Sequence, residues 1–194
     1  MTKEELNERL LAIAEGNDAA FAEVYRAFYQ PVYLLAASIT RERSLAEDIT
    51  QEVFITLRQC AGRYRPGGQA RAWLFGIAKN VARYFVRRQQ AELPMERDAL
   101  PDPNGPAETD KWETDMEKGC LSEIVMAQAL QVLNNAEYRV TVLHVFGGLK
   151  LSEIAAFDQT AYGTVLWRYD QAKKKLRRFY TAAGQRERSD ADHA

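Results

Sequence analysis

The chain has 194 residues, of which 26 are Lys or Arg and 27 are Asp or Glu, for a net charge of −1. Hydrophobic residues make up 46% and charged residues 27%, as in an ordinary globular protein. Since no run of apolar residues approaches the roughly 18 of a membrane span, we expect no membrane insertion. Met1–Arg9 holds three glutamates and does not look like a secretory signal. The widely separated Cys60 and Cys120 fit no metal site and favour a cytoplasmic location.

The balanced total charge hides a strong segregation along the chain. Residues 63–90 carry seven bases and no acid, whereas residues 91–120 carry nine acids and three bases. Because a solvated helical face usually mixes both signs, the acid-free stretch favours an anionic partner, and nucleic acid first. An alternative stays open, in which the basic stretch pairs with the acidic stretch that follows it.

Apolar residues at helical spacing predict helices along most of the first half of the chain. The four predicted helices cover about 4–14, 18–39, 44–57 and 71–90. Asp18 and Ser44 are the expected N-caps of the second and third helices. Pro31 is expected to kink or divide the second helix. Pro66, Gly67 and Gly68 predict a turn before the fourth.

Residues 93–120 combine prolines with many acids and predict a flexible linker, because they cannot bury enough apolar surface to offset the entropy of ordering. Helical spacing then resumes. Asn134 or Asn135 is expected to cap a helix that reaches Phe146, and further helices are predicted at about 152–157 and 162–180. The expected fold is all-α, with helical domains over 1–92 and 121–184, the acidic linker 93–120 between them, and a polar tail over 185–194.

The segment Ala46–Phe54 carries the most specific motif in the chain. Asp48, Gln51 and Glu52 follow the spacing i, i+3, i+4 and so share one face of a helix. A polar patch beside apolar anchors suits docking on a partner helix. A merely solvated amphipathic face is the alternative.

This motif, together with Phe21–Tyr25 and Trp73–Arg83, resembles the first domain of the extracytoplasmic-function (ECF) sigma factors of the sigma-70 family. The resemblance implies that core RNA polymerase is bound through Asp48, Gln51, Glu52 and Phe54. It also implies a helix that faces the −10 promoter element and an asparagine, Asn80, that contacts an extruded base. The loop Tyr64–Ala70 is expected to help form the pocket for this base. The implied −10 residues are Arg71, Trp73, Lys79, Asn80, Arg83, Arg87 and Arg88.

Such a role makes physical sense, because holding an opened strand requires cations for phosphates, flat side chains for stacking and an amide for a base edge. For Trp73 and Phe85, core packing is favoured over stacking.

Residues 148–176 resemble the −35-reading helix-turn-helix domain of the same family. Ile154 and Val165 are expected to pack its two helices together, and the second helix would enter the major groove. The candidate −35 contacts are Thr164, Leu166, Trp167, Arg168, Lys173 and Lys174. The match has departures: Asp158–Thr160 stands where an apolar–Gly–apolar turn is usual, and Leu166 and Trp167 replace a lysine and a small hydroxyl residue. Whether Trp167 packs inside or contacts a protein stays open.

The resemblance implies a sigma factor that binds core RNA polymerase and directs promoter recognition, DNA melting and transcription initiation. Its partners would be core polymerase, promoter DNA and an anti-sigma factor. We expect no enzyme activity, cofactor or metal, since no phosphate loop, nucleophile elbow or metal-ligand cluster is present and His144 fits a structural role. Two alternatives remain: a stand-alone helix-turn-helix regulator, and an interaction protein whose second domain binds a regulator instead of DNA.

Overall fold

The computed structural model describes residues 1–40, 42–67, 69–92 and 132–191, and every regular element within them is helical. The elements are α1 (Lys3–Ala14), α2 (Asp18–Thr40), α3 (Arg43–Cys60), a 3-10 turn (Ala61–Arg63), α4 (Ala70–Glu92), α5 (Asn135–Thr141), a π-helical turn (Val142–Phe146), α6 (Leu151–Asp158) and α7 (Tyr162–Ala191). The all-α prediction is confirmed. The predicted linker 93–120, residues 121–131 and the last three residues lie outside the described part of the chain.

Helices α1–α4 form a first helical unit with α2 at its centre. Helix α2 contacts each of the other three helices. Its residues Val24, Phe28, Val32 and Leu35 are buried and follow one another at the spacing that places them on one helical face. This apolar stripe is what fixes α2 between its neighbours.

The starts of α2 and α3 differ from the predicted caps. Asn17 caps α2, because its side-chain oxygen accepts a hydrogen bond from the backbone N–H of Ala20 at 3.0 Å. Helix α3 starts at Arg43, after Glu42, and the Ser44 hydroxyl donates to the Glu42 carboxylate at 2.9 Å. The assignment of Asp18 and Ser44 as N-caps is therefore wrong, since both residues lie within the first turn of their helices.

Pro31 does not divide α2, which runs unbroken from Asp18 to Thr40. Proline removes one backbone N–H donor from a helix interior, and that loss alone would favour a break. The Pro31 ring is buried, however, between Phe28 and Val32 of the same apolar stripe. Core packing on both sides of the proline keeps the two halves in one helix.

Helices α5–α7 form a second helical unit. Asn134 caps α5 through a reciprocal pair of hydrogen bonds with Glu137, each 2.9 Å long. The buried Glu137 carboxylate also accepts a 2.7 Å bond from Lys175, which ties α5 to α7. Ile154 and Val165 are completely buried, as predicted for the packing of α6 on α7. Helix α7 continues past the predicted end near Tyr180 to Ala191.

The two units share one continuous apolar core. Leu10, Leu74 and Phe75 of the first unit belong to the same cluster of buried side chains as Leu143 and Ile154 of the second. No described helix is both long and apolar enough to cross a bilayer. Because the shared core buries one side of each helix, functional residues can contact a partner only from the exposed faces, which include those of α3, α4 and α7.

Candidate nucleic-acid interface

The exposed face of α3 combines polar and apolar side chains. Asp48 and Gln51 are exposed and Glu52 is half-buried. Ile55, one turn beyond Gln51, is 50% exposed although it is apolar. Ile55 was not among the predicted site residues. Its exposure could have been predicted from the sequence, because Ile55 lies off the apolar stripe formed by Val53 and Leu57.

Phe54 is not on this face. Its side chain is only 2% exposed, and its ring lies 4.6 Å from the ring of Tyr25 and 6.4 Å from that of Phe21. Phe54 thus anchors α3 on α2, and its assignment to the polymerase contact stays a prediction. Any contribution that it makes to binding is through the position of α3.

The predicted −10 residues of α4 differ in exposure. Asn80, Arg83, Arg87 and Arg88 are exposed, whereas Arg71, Trp73 and Lys79 are partly covered. Leu74, Phe75, Ala78 and Ala82 are buried and form the side of α4 that faces the core. Only the first group is open to a large partner in this arrangement.

A groove of about 460 Å³ runs between α3 and α4. Its lining residues are Glu52, Thr56, Asn80, Val81, Tyr84, Phe85 and Arg88. Asn80, Tyr84 and Arg88 follow one another at four-residue spacing and so form one wall. Tyr84 is 61% exposed, which leaves its ring available for stacking.

The groove brings together the groups that recognition of an unpaired base requires. An amide can bond to a base edge, an aromatic ring can stack on a base, and a guanidinium can contact a phosphate. Glu52 adds a carboxylate, which accepts hydrogen bonds from exocyclic amines. Phe85 is partly buried and packs against the core, in agreement with its predicted packing role.

The loop before α4 does not join this groove. Among the described loop residues, 64–67 and 69–70, none lines it. Tyr64 is buried, its hydroxyl donates to the side-chain oxygen of Asn7, and its ring lies 5.0 Å from that of Trp73. Ten residues separate Ala70 from Asn80, which is about 15 Å of α-helix. The described loop residues and Asn80 are therefore not brought together, and Trp73 packs against Tyr64 as expected.

Two of the predicted −10 cations have protein partners. The Lys79 ammonium donates to the backbone oxygen of Phe157 at 2.7 Å and to the Asp158 carboxylate at 3.3 Å. Burial lowers the pKa of Lys79, and the Asp158 charge opposes that shift. Arg71 donates from Nη2 to the backbone oxygen of Met1 at 2.5 Å. No local pattern in the sequence predicts these contacts.

Helix α7 presents an apolar patch near its N-terminus. Tyr162, Leu166 and Trp167 are 53%, 40% and 58% exposed, so Trp167 does not pack inside. Thr164 and Arg168 are partly buried, whereas Lys173 and Lys174 are exposed.

Asp170 lies among these candidate −35 residues and bonds to Lys173 at 2.7 Å. This hydrogen bond and the lysine charge lower the pKa of Asp170. The negative charge of Asp170 is thus partly offset within the helix.

The unusual turn between α6 and α7 keeps a left-handed backbone. Gln159 has φ 53° and ψ 41°, the conformation that glycine adopts most readily. In the apolar–Gly–apolar turn that the resemblance implies, a glycine stands at this position. The side chain of Asp158, just before it, is only 4% exposed and accepts a 3.0 Å bond from Arg139 in addition to that from Lys79.

His144 has structural contacts. Its Nδ1 lies 2.7 Å from the backbone oxygen of Leu149, and its ring packs edge-on against Tyr169 at 4.8 Å. In the part of the chain that the structure describes, no group of three or more His, Cys, Asp or Glu side chains could hold a metal ion.

The chain is similar to known proteins of one family. Residues 24–92 match the family model described as Sigma-70 region 2. The chain is 29% identical over 166 residues to the RNA polymerase sigma factor CarQ of Myxococcus xanthus, an alignment that covers 84% of this chain and 90% of CarQ. It is 32% identical over 169 residues to the ECF RNA polymerase sigma factor SigE of Mycolicibacterium smegmatis, covering 84% of this chain and 64% of SigE.

A solved structure agrees at the level of the fold. It is the sigma factor RpoE in complex with the anti-sigma factor NepR from Bartonella quintana. The TM-score is 0.57 at 20% identity, and the match covers 83% of this chain and 96% of RpoE. Three findings point to the same family. They are the match of residues 24–92 to the family model, the similarity to the relatives along most of the chain, and the shared fold. The chain belongs to the extracytoplasmic-function group of the sigma-70 family of RNA polymerase sigma factors.

Proposed function

We propose that this sigma factor binds core RNA polymerase with the exposed face of α3 and captures the opened −10 element with α4. The observation that carries this proposal is the position of Glu52. It belongs to the predicted polymerase-binding motif and also lines the α3–α4 groove with Asn80. One small helical unit thus offers a protein-binding surface and a base-binding groove side by side. That adjacency suits a subunit that holds DNA open against the polymerase.

The exposed face of α4 supports a part in DNA melting. An unpaired base could stack on Tyr84 and bond to Asn80, while Arg83 and Arg87 neutralise the phosphates of the displaced strand. Base stacking on an aromatic side chain contributes roughly 1–3 kcal/mol per base. Such contacts favour the single-stranded form over the duplex and so favour opening.

The second unit would approach the −35 element through α7. Arg168, Lys173 and Lys174 are the candidate phosphate contacts, whereas Leu166 and Trp167 are poor partners for polar base edges. We propose domain limits of 1–92 for polymerase and −10 binding and 121–184 for −35 binding. In this role the protein is a binding subunit with no chemistry of its own, and it acts in the cytoplasm, where bacterial transcription takes place.

The apolar patch of Tyr162, Leu166 and Trp167 favours a second partner. A cluster of exposed large apolar side chains is typical of protein contacts. RpoE, which has the same fold, is bound to an anti-sigma factor in its structure. We propose that an anti-sigma factor binds this chain too, with the α7 patch as part of the contact.

The affinity for core polymerase tests the α3 assignment. Asp48→Ala with Gln51→Ala should weaken binding by about tenfold or more, equivalent to about 1.4 kcal/mol, because both side chains lie at the centre of the proposed contact. Glu52 is left intact so that the groove is unchanged. The matched control, Glu8→Ala with Gln30→Ala, also removes one exposed acid and one exposed glutamine and should bind like the wild type. Wild-type affinity in a folded Asp48/Gln51 variant would remove this face from the polymerase contact.

A gel shift separates the sigma-factor function from a stand-alone regulator. A stand-alone regulator would occupy duplex DNA tightly without polymerase. The proposed function requires that stable binding to duplex promoter DNA appear only when core polymerase is added.

A further inference from the structure

One face of α4 is covered by the second helical unit. Arg71, Phe75 and Lys79 lie at four-residue intervals and share this face. A Cβ atom added to Gly147 would lie 2.8 Å from the Phe75 ring, and one added to Gly148 would lie 3.2 Å from the Arg71 guanidinium. The backbone of the turn before α6 therefore rests directly on α4, with no room for a side chain at Gly147.

Asp158 fastens the far end of this contact. It is the last residue of α6, and its carboxylate receives Lys79 of α4 at 3.3 Å and Arg139 of α5 at 3.0 Å. The Asp158 side chain is 4% exposed and that of Lys79 is 16% exposed. The Lys79 ammonium also caps α6 through the Phe157 backbone oxygen and lies 4.3 Å from the centre of the Phe157 ring. A cation at the C-terminus of a helix is favourable in itself.

The two partners of Asp158 differ in what happens when the units separate. Arg139 belongs to the same unit as Asp158 and would stay with it, whereas Lys79 would leave with α4. Removal of one partner from a buried ion pair is strongly unfavourable if the remaining charge stays buried. Here separation would also return Asp158 to water, so the contact can open without leaving a buried unpaired charge.

Two of the cations assigned to the −10 element are thus engaged by the protein itself. We propose that Asp158 is a latch, which holds the second unit closed over Arg71 and Lys79 and competes with promoter DNA for these cations. The inference rests on the proposed function of α4. Asn80, Arg83 and Arg87 stay exposed in the closed form, so the latch limits DNA binding to part of the α4 cations. If nine molecules in ten are closed, the apparent affinity for DNA falls by at most about tenfold.

The distance between the units tests the latch without DNA. Spin labels at Glu8→Cys and Arg177→Cys, both exposed positions in different units, would report this distance by double electron–electron resonance in a Cys60→Ser, Cys120→Ser background. Asp158→Asn should lengthen and broaden the distance distribution. The matched control is Asp170→Asn, which removes one charge from the same unit but breaks only the pair with Lys173 inside α7. It should leave the distances unchanged.

A double variant makes this test specific to the ion pair. Lys79→Gln should open the protein as much as Asp158→Asn does, and the two changes together should open it no further, because both remove the same interaction. Circular dichroism would establish that each variant keeps its helices. Unchanged distances in a folded Asp158→Asn protein would overturn the latch.

Binding to a fluorescent single-stranded oligonucleotide tests the competition with DNA. Asp158→Asn should bind more tightly than the wild type, by up to about tenfold if nine wild-type molecules in ten are closed, and Asp170→Asn, with the same change in net charge, should not. If Asp158→Asn opened the protein but bound the oligonucleotide no more tightly than the Asp170→Asn control, the proposal that the second unit masks α4 would be overturned. If no variant bound the oligonucleotide at all, open or closed, the proposed −10 function of α4 would fail instead, and the distance measurement would still decide whether Asp158 is a latch.

Discussion

Asn80 is the residue of the α3–α4 groove best suited to read a base, because it is exposed and its amide can both donate and accept. We predict that Asn80→Ala reduces discrimination at one position of the −10 element by about 1–3 kcal/mol. Affinities for a set of forked promoter templates, each with one base changed, would measure the effect. A uniform loss of affinity across the set would mean that Asn80 positions the strand and does not read it.

Arg83 and Arg87 should act differently, because phosphate contacts carry no sequence information. Replacing both with alanine should weaken binding to every template by a similar factor. It should also reduce the slope of log affinity against log salt by about 1.4, since each phosphate contact to a single strand contributes about 0.7. A salt series on wild type and variant measures this slope. An unchanged slope would exclude both arginines from phosphate binding.

Phe54 and Ile55 are neighbours in sequence with opposite environments, 2% and 50% exposed. Phe54→Ala should destabilise the fold by about 3–5 kcal/mol, as for other buried aromatic residues. Ile55→Ala should change stability by less than about 0.5 kcal/mol but weaken core-polymerase binding. Urea denaturation and a binding assay on both variants separate the two roles. Equal losses of stability would contradict the placement of Ile55 on the surface.

At the scale of elements, the turn between α6 and α7 offers a stability test. Gln159 holds a left-handed backbone, which costs a residue with a Cβ atom roughly 1–2 kcal/mol. Gln159→Gly should therefore stabilise the protein by roughly 1 kcal/mol, after allowance for the extra entropy of glycine in the unfolded chain. Gln159→Ala keeps the strained Cβ atom and serves as the control. Equal stability of the Gly and Ala variants would show that this turn carries no strain.

The helices themselves could be predicted because buried apolar residues recur at helical spacing in the sequence. Val24, Phe28, Val32 and Leu35 give the period of α2, and Asn134 with Glu137 gives the start of α5. The cap of α2 could not be predicted from the sequence, since Asn17 and Asp18 are adjacent and both can cap a helix. Pro31 favoured a break by its backbone chemistry, and only the tertiary packing of its ring keeps α2 continuous.

At the scale of the whole molecule, the chemistry of the candidate site could be predicted but its arrangement could not. The acid-free stretch pointed to an anionic partner, and the resemblance assigned roles to Asn80 and Glu52. Nothing local placed Glu52 in the same groove as Asn80, because that depends on how α3 packs on α4. Lys79 and Asp158 are 79 residues apart, and a single acid at a helix end does not reveal which distant cation it will meet.

The central claim, that this chain directs promoter recognition as a sigma factor, is tested most directly by run-off transcription. Purified core polymerase would be incubated with a template library of randomised promoter elements, with and without the chain. We predict discrete transcripts that require both proteins, and a loss of these transcripts with the Asp48→Ala, Gln51→Ala variant at limiting concentration. A chain that is folded and bound to core polymerase, yet yields no transcript above core polymerase alone from any template, would contradict the claim.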